Sequence, residues 1–272
     1  MNEYIVLIPF YRGDEYRERS IETVIRHCWE HSNHQCRIVV SEQNSVSRTL
    51  FHAITTKYQI PIEVVNHTYS GRFNKSRAWN DGILHITKKK GALDTPVLFL
   101  DCDILVEPEL LKPEVIHSRM CQFKVWHPFT KIADLDKFDS YIVCTEKLGT
   151  VSTRIDYHRE KARRGYRCYG GALVLTPKTY IEVGGYDNRY DAWGHEDDVF
   201  YYACRRLYPV GLCGRENGQT IYHIYHPVQN TFEYVRSDKY KRLATIRTES
   251  VRQIKEDVKA YSKSIRFSNG LF

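Results

Sequence analysis

The chain has 272 residues, 42% of them hydrophobic and 20 of them tyrosine, which is enough for one large globular domain or two small ones. No apolar run reaches transmembrane length and the N-terminus lacks the basic-then-apolar layout of a signal peptide, so a soluble, cytoplasmic protein is expected. The eight cysteines form no Cys-x-x-Cys pair, which argues against a zinc site and for free, mostly buried thiols, and the net charge of +7 leaves nucleotide phosphates, nucleic acid or a membrane surface open as anionic partners.

Tyr4 to Phe10 is an apolar run with the look of a buried parallel strand, ending in the turn Pro9-Phe10-Tyr11-Arg12-Gly13-Asp14. The spacing of Ile21, Val24, Ile25, Cys28 and Trp29 predicts a helix with one apolar face. Arg37 to Val40 reads as a second strand, running into the polar Ser41-Glu42-Gln43-Asn44. A helix from about Arg48 to Tyr58 leads to a third strand, Ile62 to Val65. Arg72-Phe73-Asn74-Lys75 then opens a helix to about Lys88, stopped at Gly91, and Val97 to Leu100 is a fourth strand. This alternation predicts an α/β fold with a mostly parallel central sheet flanked by helices and ligands at the carboxyl ends of its strands. No Gly-x-Gly-x-x-Gly follows the first strand and there is no Walker loop, which disfavours a dinucleotide-binding protein or a nucleoside triphosphatase.

The fourth strand runs into Asp101-Cys102-Asp103. Read as an extended continuation of the strand, the segment puts the two carboxylates on one face and turns Cys102 into the core. Two such acids at the end of a buried strand repel each other unless a cation joins them, and a hard divalent ion with a diphosphate meets that need. Cys121 to Trp126 is read as a strand, and the basic stretch Lys147 to Arg167, with seven Lys/Arg against two Asp/Glu, as a mobile loop near the site.

Tyr169 to Leu207 carries the densest signal. Gly170-Gly171 begins an apolar strand, Gly184-Gly185-Tyr186-Asp187 follows a short helical run, and Trp193-Gly194-His195-Glu196-Asp197-Asp198 leads into a helix. N-capping explains one acid at a helix start, but not three after Trp-Gly. Further on, His223 and His226 lie on a short strand ending at Pro227, and with an upstream Asp pair they are candidate ligands for manganese, which accepts carboxylate, water and imidazole. The remainder, 232–272, reads as a helical tail packed on the domain, with ten Lys/Arg against four Asp/Glu from Arg236 to Arg266.

These residues resemble the metal-dependent glycosyltransferases of the GT-A fold, nearest to the β1,4-galactosyltransferases and to the galactosyltransferase-like domains of chondroitin polymerases and polypeptide N-acetylgalactosaminyltransferases. Ile8-Pro9-Phe10-Tyr11-Arg12 is similar to the first-strand block that meets the nucleotide, and Arg72-Phe73-Asn74-Lys75 to the block under the donor, with Lys75 where the family usually has Arg. Asp101-Cys102-Asp103 resembles the Asp-x-Asp metal motif, and Gly170-Gly171 and Trp193 to Asp198 the Gly-Gly and Trp-Gly-Gly-Glu-Asp-Asp blocks, with His195 in place of the second glycine.

The resemblance implies a single GT-A domain over 1–231, its nucleotide-sugar half about 1–110 and its acceptor half about 111–231. It implies an inverting transfer from a nucleotide-sugar, a UDP-sugar by expectation, to an acceptor hydroxyl with Mn2+ (or Mg2+). Asp103 and His223 would hold the ion, with Asp101 beside them and His226 the near alternative. Pro9, Phe10, Arg12, Glu42, Phe73, Lys75, Cys102 and Gly171 would line the donor site. Trp193, Gly194, His195 and Glu196 would meet the acceptor, and Asp197 would be the general base. Rival readings are transfer onto hydroxymethylated bases of DNA or RNA, a retaining transferase of the same fold, and a non-catalytic nucleotide-sugar-binding module.

Overall fold

The computed structural model describes residues 3–44, 48–145, 169–190 and 194–227, together with positions 252, 253 and 256. The expected alternation is present from the N-terminus: β1 (Tyr4–Tyr11), α1 (Glu15–His31), β2 (Cys36–Gln43), α2 (Arg48–Tyr58), β3 (Ile62–His67), α3 (Lys75–Thr87) and β4 (Val97–Leu100). Then follow β5 (Ile104–Val106), α4 (Pro113–Gln122), β6 (Val125–His127), β7 (Lys131–Asp134), α5 (Lys137–Thr145), β8 (Ala172–Leu175), α6 (Pro177–Val183), α7 (Glu196–Leu207), β9 (Cys213–Arg215) and β10 (Thr220–His223).

Seven strands form the main sheet in the order β3-β2-β1-β4-β8-β6-β9. The pairs β3-β2, β2-β1 and β1-β4 are parallel, whereas β8 runs antiparallel to both β4 and β6. The chain leaves β1 towards β2 and β3, then crosses back to place β4 on the other side of β1. That reversal is the topological switch point at which open α/β sheets bind ligands. It brings the carboxyl ends of β1 and β4, hence Tyr11-Arg12 and Asp101-Cys102-Asp103, to one place.

Strand β1 shows why both faces of the sheet are covered. Tyr4, Val6, Ile8 and Phe10 point into a core shared with Ile21, Val24, Ile25 and Cys28 of α1, while Ile5 and Leu7 join the opposite core with Trp79 and Ile83 of α3 and Phe200 and Cys204 of α7. The near-continuous apolar run follows from this two-sided burial. Capping fixes where the helices begin: Asp14 accepts from the Arg17 amide at the start of α1, and Asn74 from the Arg77 amide at the start of α3.

A second, three-stranded sheet has the order β5-β10-β7, with β10 antiparallel to β5 and parallel to β7. Of its strands only the short one at His223 is expected from the sequence; β5 and β7 are not, because they are three and four residues long and the pairing of the three joins distant parts of the chain. Two expectations need correction. Cys121 and Gln122 close α4, which Pro113 opens as its first helical residue, and the following strand is Val125–His127. His226 lies beyond β10, which ends at His223. The described cysteines are all free thiols. No helix among the described residues is long and apolar enough to cross a membrane. The basic stretch Lys147 to Arg167 and nearly all of the expected tail from 232 lie outside the described residues.

Candidate active site

Two groups of charged side chains meet at the end of β4. The first surrounds Asp103, which is 7% exposed. Its Oδ2 lies 3.8 Å from His223 Nε2, 3.4 Å from His226 Nε2 and 3.7 Å from an Arg17 guanidinium nitrogen. One ligand atom from each of Asp103, His223 and His226 fits within a 4.8 Å span, close enough for a single metal ion. One carboxylate and two imidazoles form a donor set suited to manganese, so the residues present fit the ion that the resemblance implies. The other His223 nitrogen, Nδ1, is 2.9 Å from Asp134 Oδ1. Burial works against charge on both partners, but the carboxylates of Asp103 and Asp134 hold the His223 imidazolium up to about 10, and His223, Arg17 and His226 hold Asp103 well below the usual carboxylate range.

Backbone bonds set this geometry. The Ile224 amide donates to the Asp103 carbonyl at 2.8 Å, which ties the end of β10 to the motif. Past His223 the chain leaves the strand, and the Tyr225 amide donates to Ser140 Oγ of α5. This turn lets two histidines three residues apart reach one carboxylate, where a continued strand would send them to opposite faces. The expected extended Asp101-Cys102-Asp103 is replaced by a turn at residues 102 and 103. Cys102 is buried as expected, but Asp101 and Asp103 serve different groups: Asp101 is not among the three clustered ligand residues.

Asp101 belongs to the second group, built around Lys75. The Lys75 Nζ lies 2.8 Å from Asp197 Oδ2, 3.0 Å from Glu196 Oε1 and 3.4 Å from Asp101 Oδ2. One partly buried cation faces three acids. Burial pushes Asp197 up to about 7, with Glu196 and Asp101 adding to the rise against the opposing pull of Lys75. Glu196 is instead lowered, because Lys75 and the Gly194 amide, which donates to its Oε2 at 2.9 Å, outweigh burial. Neighbouring acids on one helix are thereby driven apart in acidity, the pattern that separates acid and base roles in active sites. The Tyr186 hydroxyl, 3.2 Å away, donates to Asp197 Oδ1.

The Gly-Gly pair makes room for this cluster. A Cβ on Gly170 would come within 2.2 Å of Asp197 Oδ2, and Gly171 has φ +103, with Ile221 occupying the space a side chain would need. The Gly171 carbonyl accepts from the Asp101 amide at 2.9 Å, so the start of β8 is tied to the end of β4 directly beneath the acids. His195 sits at φ +63 as the residue before α7, the backbone region that favours the glycine it replaces, and its Nδ1 lies 2.6 Å from Asp198 Oδ2. Trp193 lies outside the described residues.

On the β1 side, Pro9 and Phe10 are buried, and Phe10 packs edge-on against Phe51. Tyr11 is 38% exposed and stacks on Phe73 with ring centroids 5.9 Å apart, while Arg12 pairs with Glu18. Glu42, near the end of β2, is 1% exposed and neither carboxylate oxygen has a hydrogen-bond partner among the described residues. Sequence reasoning missed Tyr11, Arg17, Asp134 and Tyr186. Tyr11 and Tyr186 stand inside the quoted blocks, but Arg17 and Asp134 reach the site only through tertiary structure.

Residues 152–227 match the family described as the N-terminal domain of galactosyltransferase. The fold is shared with the catalytic domain of Drosophila β1,4-galactosyltransferase 7 in complex with xylobiose, at 16% identity and TM-score 0.50 over 93% of this chain and 84% of that one. It is shared with residues 1–349 of S. aureus TarS in complex with UDP-GlcNAc, at 14% identity and TM-score 0.58 over 99% and 76% of the two chains. GalNAc-T7 with UDP, GalNAc and Mn2+ aligns at 15% identity and TM-score 0.52 over 99% of this chain and 52% of that one. A sequence search among curated proteins returned no match. The fold is GT-A, and the findings point to a glycosyltransferase. Nothing among them supports a nucleic acid acceptor.

Proposed function

We propose that the chain is a metal-dependent, inverting glycosyltransferase that moves a sugar from a UDP-sugar to an acceptor hydroxyl. The observation that carries the reading is the meeting, at one strand end, of a three-residue metal-ligand set and a lysine-bound group of acids on a helix start. Solved relatives of the same fold bound UDP-GlcNAc, or UDP, GalNAc and Mn2+, which supports a UDP-sugar donor and manganese for this chain.

Asp103, His223 and His226 would hold Mn2+, with Mg2+ the less suited ion for a site holding two imidazoles. The ion would supply Lewis-acid neutralisation of the leaving diphosphate. Arg17 adds a fixed positive charge beside Asp103 for the same anion. Tyr11 and Phe73 offer an aromatic pair to the nucleoside, and Glu42 offers unpaired carboxylate oxygens to its hydroxyl or imide protons. Lys75 and Asp101 flank the donor sugar. Asp197 takes the proton of the acceptor hydroxyl as the new bond forms at the anomeric carbon, and Glu196, next to it, binds a sugar hydroxyl. His195 and Gly194 carry the acceptor side.

The test is UDP release from a panel of UDP-sugars with and without Mn2+, since slow transfer to water needs no known acceptor. The wild type should release UDP from at least one donor only when Mn2+ is present, and Asp103→Ala should release none. Metal-independent release, or equal release by the variant, would overturn the metal role. No release from any donor would favour a binding module.

A further inference from the structure

The small sheet explains how His223 is held. His223 on β10 is in register with Ile104 of β5 on one side and with Asp134 of β7 on the other. Strand β5 starts one residue after Asp103, and β7 ends on Asp134. The middle strand therefore carries the imidazole between two carboxylates, one at each ring nitrogen: Asp103 at 3.8 Å from Nε2 and Asp134 at 2.9 Å from Nδ1. The ladder continues past the pair, since the Leu135 amide donates to the His223 carbonyl at 2.9 Å. Among the described residues His226 has no comparable anchor at its own Nδ1, which faces the adjacent Pro227 carbonyl at 3.1 Å.

We propose that Asp134 is the positioning residue of the Asp103–His223–His226 centre: by accepting the Nδ1 proton of His223 it fixes the ring with Nε2 turned to Asp103 and a divalent cation. The inference rests on the metal reading above. A carboxylate on the far nitrogen of a ligating histidine sets its tautomer and orientation and strengthens it as a donor, and losing one weakens metal binding by about 10- to 100-fold. Such a partner favours ions that take imidazole well, manganese above magnesium.

Calorimetric titration of Mn2+ alone, without any donor, tests this in the wild-type chain, Asp134→Ala and Asp134→Asn. Asp134→Ala should bind Mn2+ about 10- to 100-fold more weakly. Asp134→Asn should lose less, because its amide oxygen still accepts the Nδ1 proton. Mg2+ affinity, which depends less on imidazole, should fall less than Mn2+ affinity in both variants. Melting in the presence of a chelator separates this role from a structural one, and Asp134→Asn carries the test where the alanine variant does not fold. Wild-type affinity for Mn2+ in both variants overturns the role of Asp134 alone. An equal loss for both ions with a lowered metal-free melting temperature also overturns it, as purely structural. A wild-type chain that takes up no Mn2+ overturns the metal reading and this inference together.

Discussion

Lys75 helps set the acid–base character of the site, because one ammonium within 3.4 Å of three carboxylates leaves a surplus of negative charge. Burial, joined by the neighbouring acids and opposed by Lys75, raises Asp197 furthest among the three. A general base must be ionised to act. With Asp197 raised to about 7, transfer should fall roughly tenfold per pH unit below that value, as the protonated form takes over. A flat rate from pH 5 to pH 7 would remove Asp197 from the role. Asp197→Asn keeps the size of the side chain and should still bind donor and metal, while transfer falls by roughly a hundredfold or more. Product from the wild type should show the opposite anomeric configuration by NMR. Gly170→Ala tests the same carboxylate from the other side. A methyl group there meets Asp197 Oδ2 rather than a yielding apolar chain. Turnover should drop at least tenfold while Mn2+ affinity, which depends on residues beyond the clash, stays within about twofold. The three acids in the first turn of α7 were legible in the sequence as an excess over capping. The pairing of Glu196 and Asp197 with Lys75 was not, since position 75 meets 196 and 197 only once α3 and α7 have packed on the sheet.

At the scale of elements, α3 carries Lys75 into the site at its first residue, so its start must be fixed closely. Asn74 does this with three bonds: its Oδ1 accepts from the Arg77 amide, its amide nitrogen donates to Gln43 Oε1, and its Nδ2 donates to the Asn188 carbonyl, each at 2.8 Å. Asn80, one and a half turns on, donates to the Tyr186 carbonyl and so holds the segment whose hydroxyl reaches Asp197. Asn74→Ala should lower stability by about 1–3 kcal/mol, the sum of a lost cap and the lost hydrogen bond to Asn188. Asn74→Asp keeps the cap acceptor and should recover part of that loss in a denaturant melt. Equal stability of the alanine variant and the wild type would show that α3 is positioned by apolar packing alone. The long periodic elements were legible: α2 was expected from about Arg48 to Tyr58 and spans Arg48–Tyr58. The reversal of β8 against β4, the strands β5 and β7, and the pairing of β10 between them were not. The three and four residues of β5 and β7 carry too little pattern to be told from loops, and strand pairing is decided by partners up to a hundred or more positions away.

For the molecule as a whole, no short segment contains the site. The metal set joins positions 103, 223 and 226, with 17 and 134 beside it, and the lysine group joins 75, 101, 196 and 197. Neither group exists in the unfolded chain, so ligands that bind them stabilise the native state by mass action. On the proposed function, diphosphate and ion occupy adjoining positions and each raises the affinity of the other, since coupling between two ligands is reciprocal. Thermal unfolding should therefore respond to the pair more than to either alone. At about one hundred times the dissociation constant, the bound ligand adds about 2.7 kcal/mol, a rise of roughly 5–10 °C for a chain of this size. UDP with Mn2+ should give that shift, and UDP with a chelator should give little of it. In Asp103→Ala the metal-free melting temperature sets a new baseline, because Arg17 and His223 lose their buried partner. Above that baseline, UDP and Mn2+ together should do no more than UDP alone. If the full shift persists in the variant, the ion is held elsewhere; if UDP with a chelator already gives it in the wild type, nucleotide binding does not require the ion.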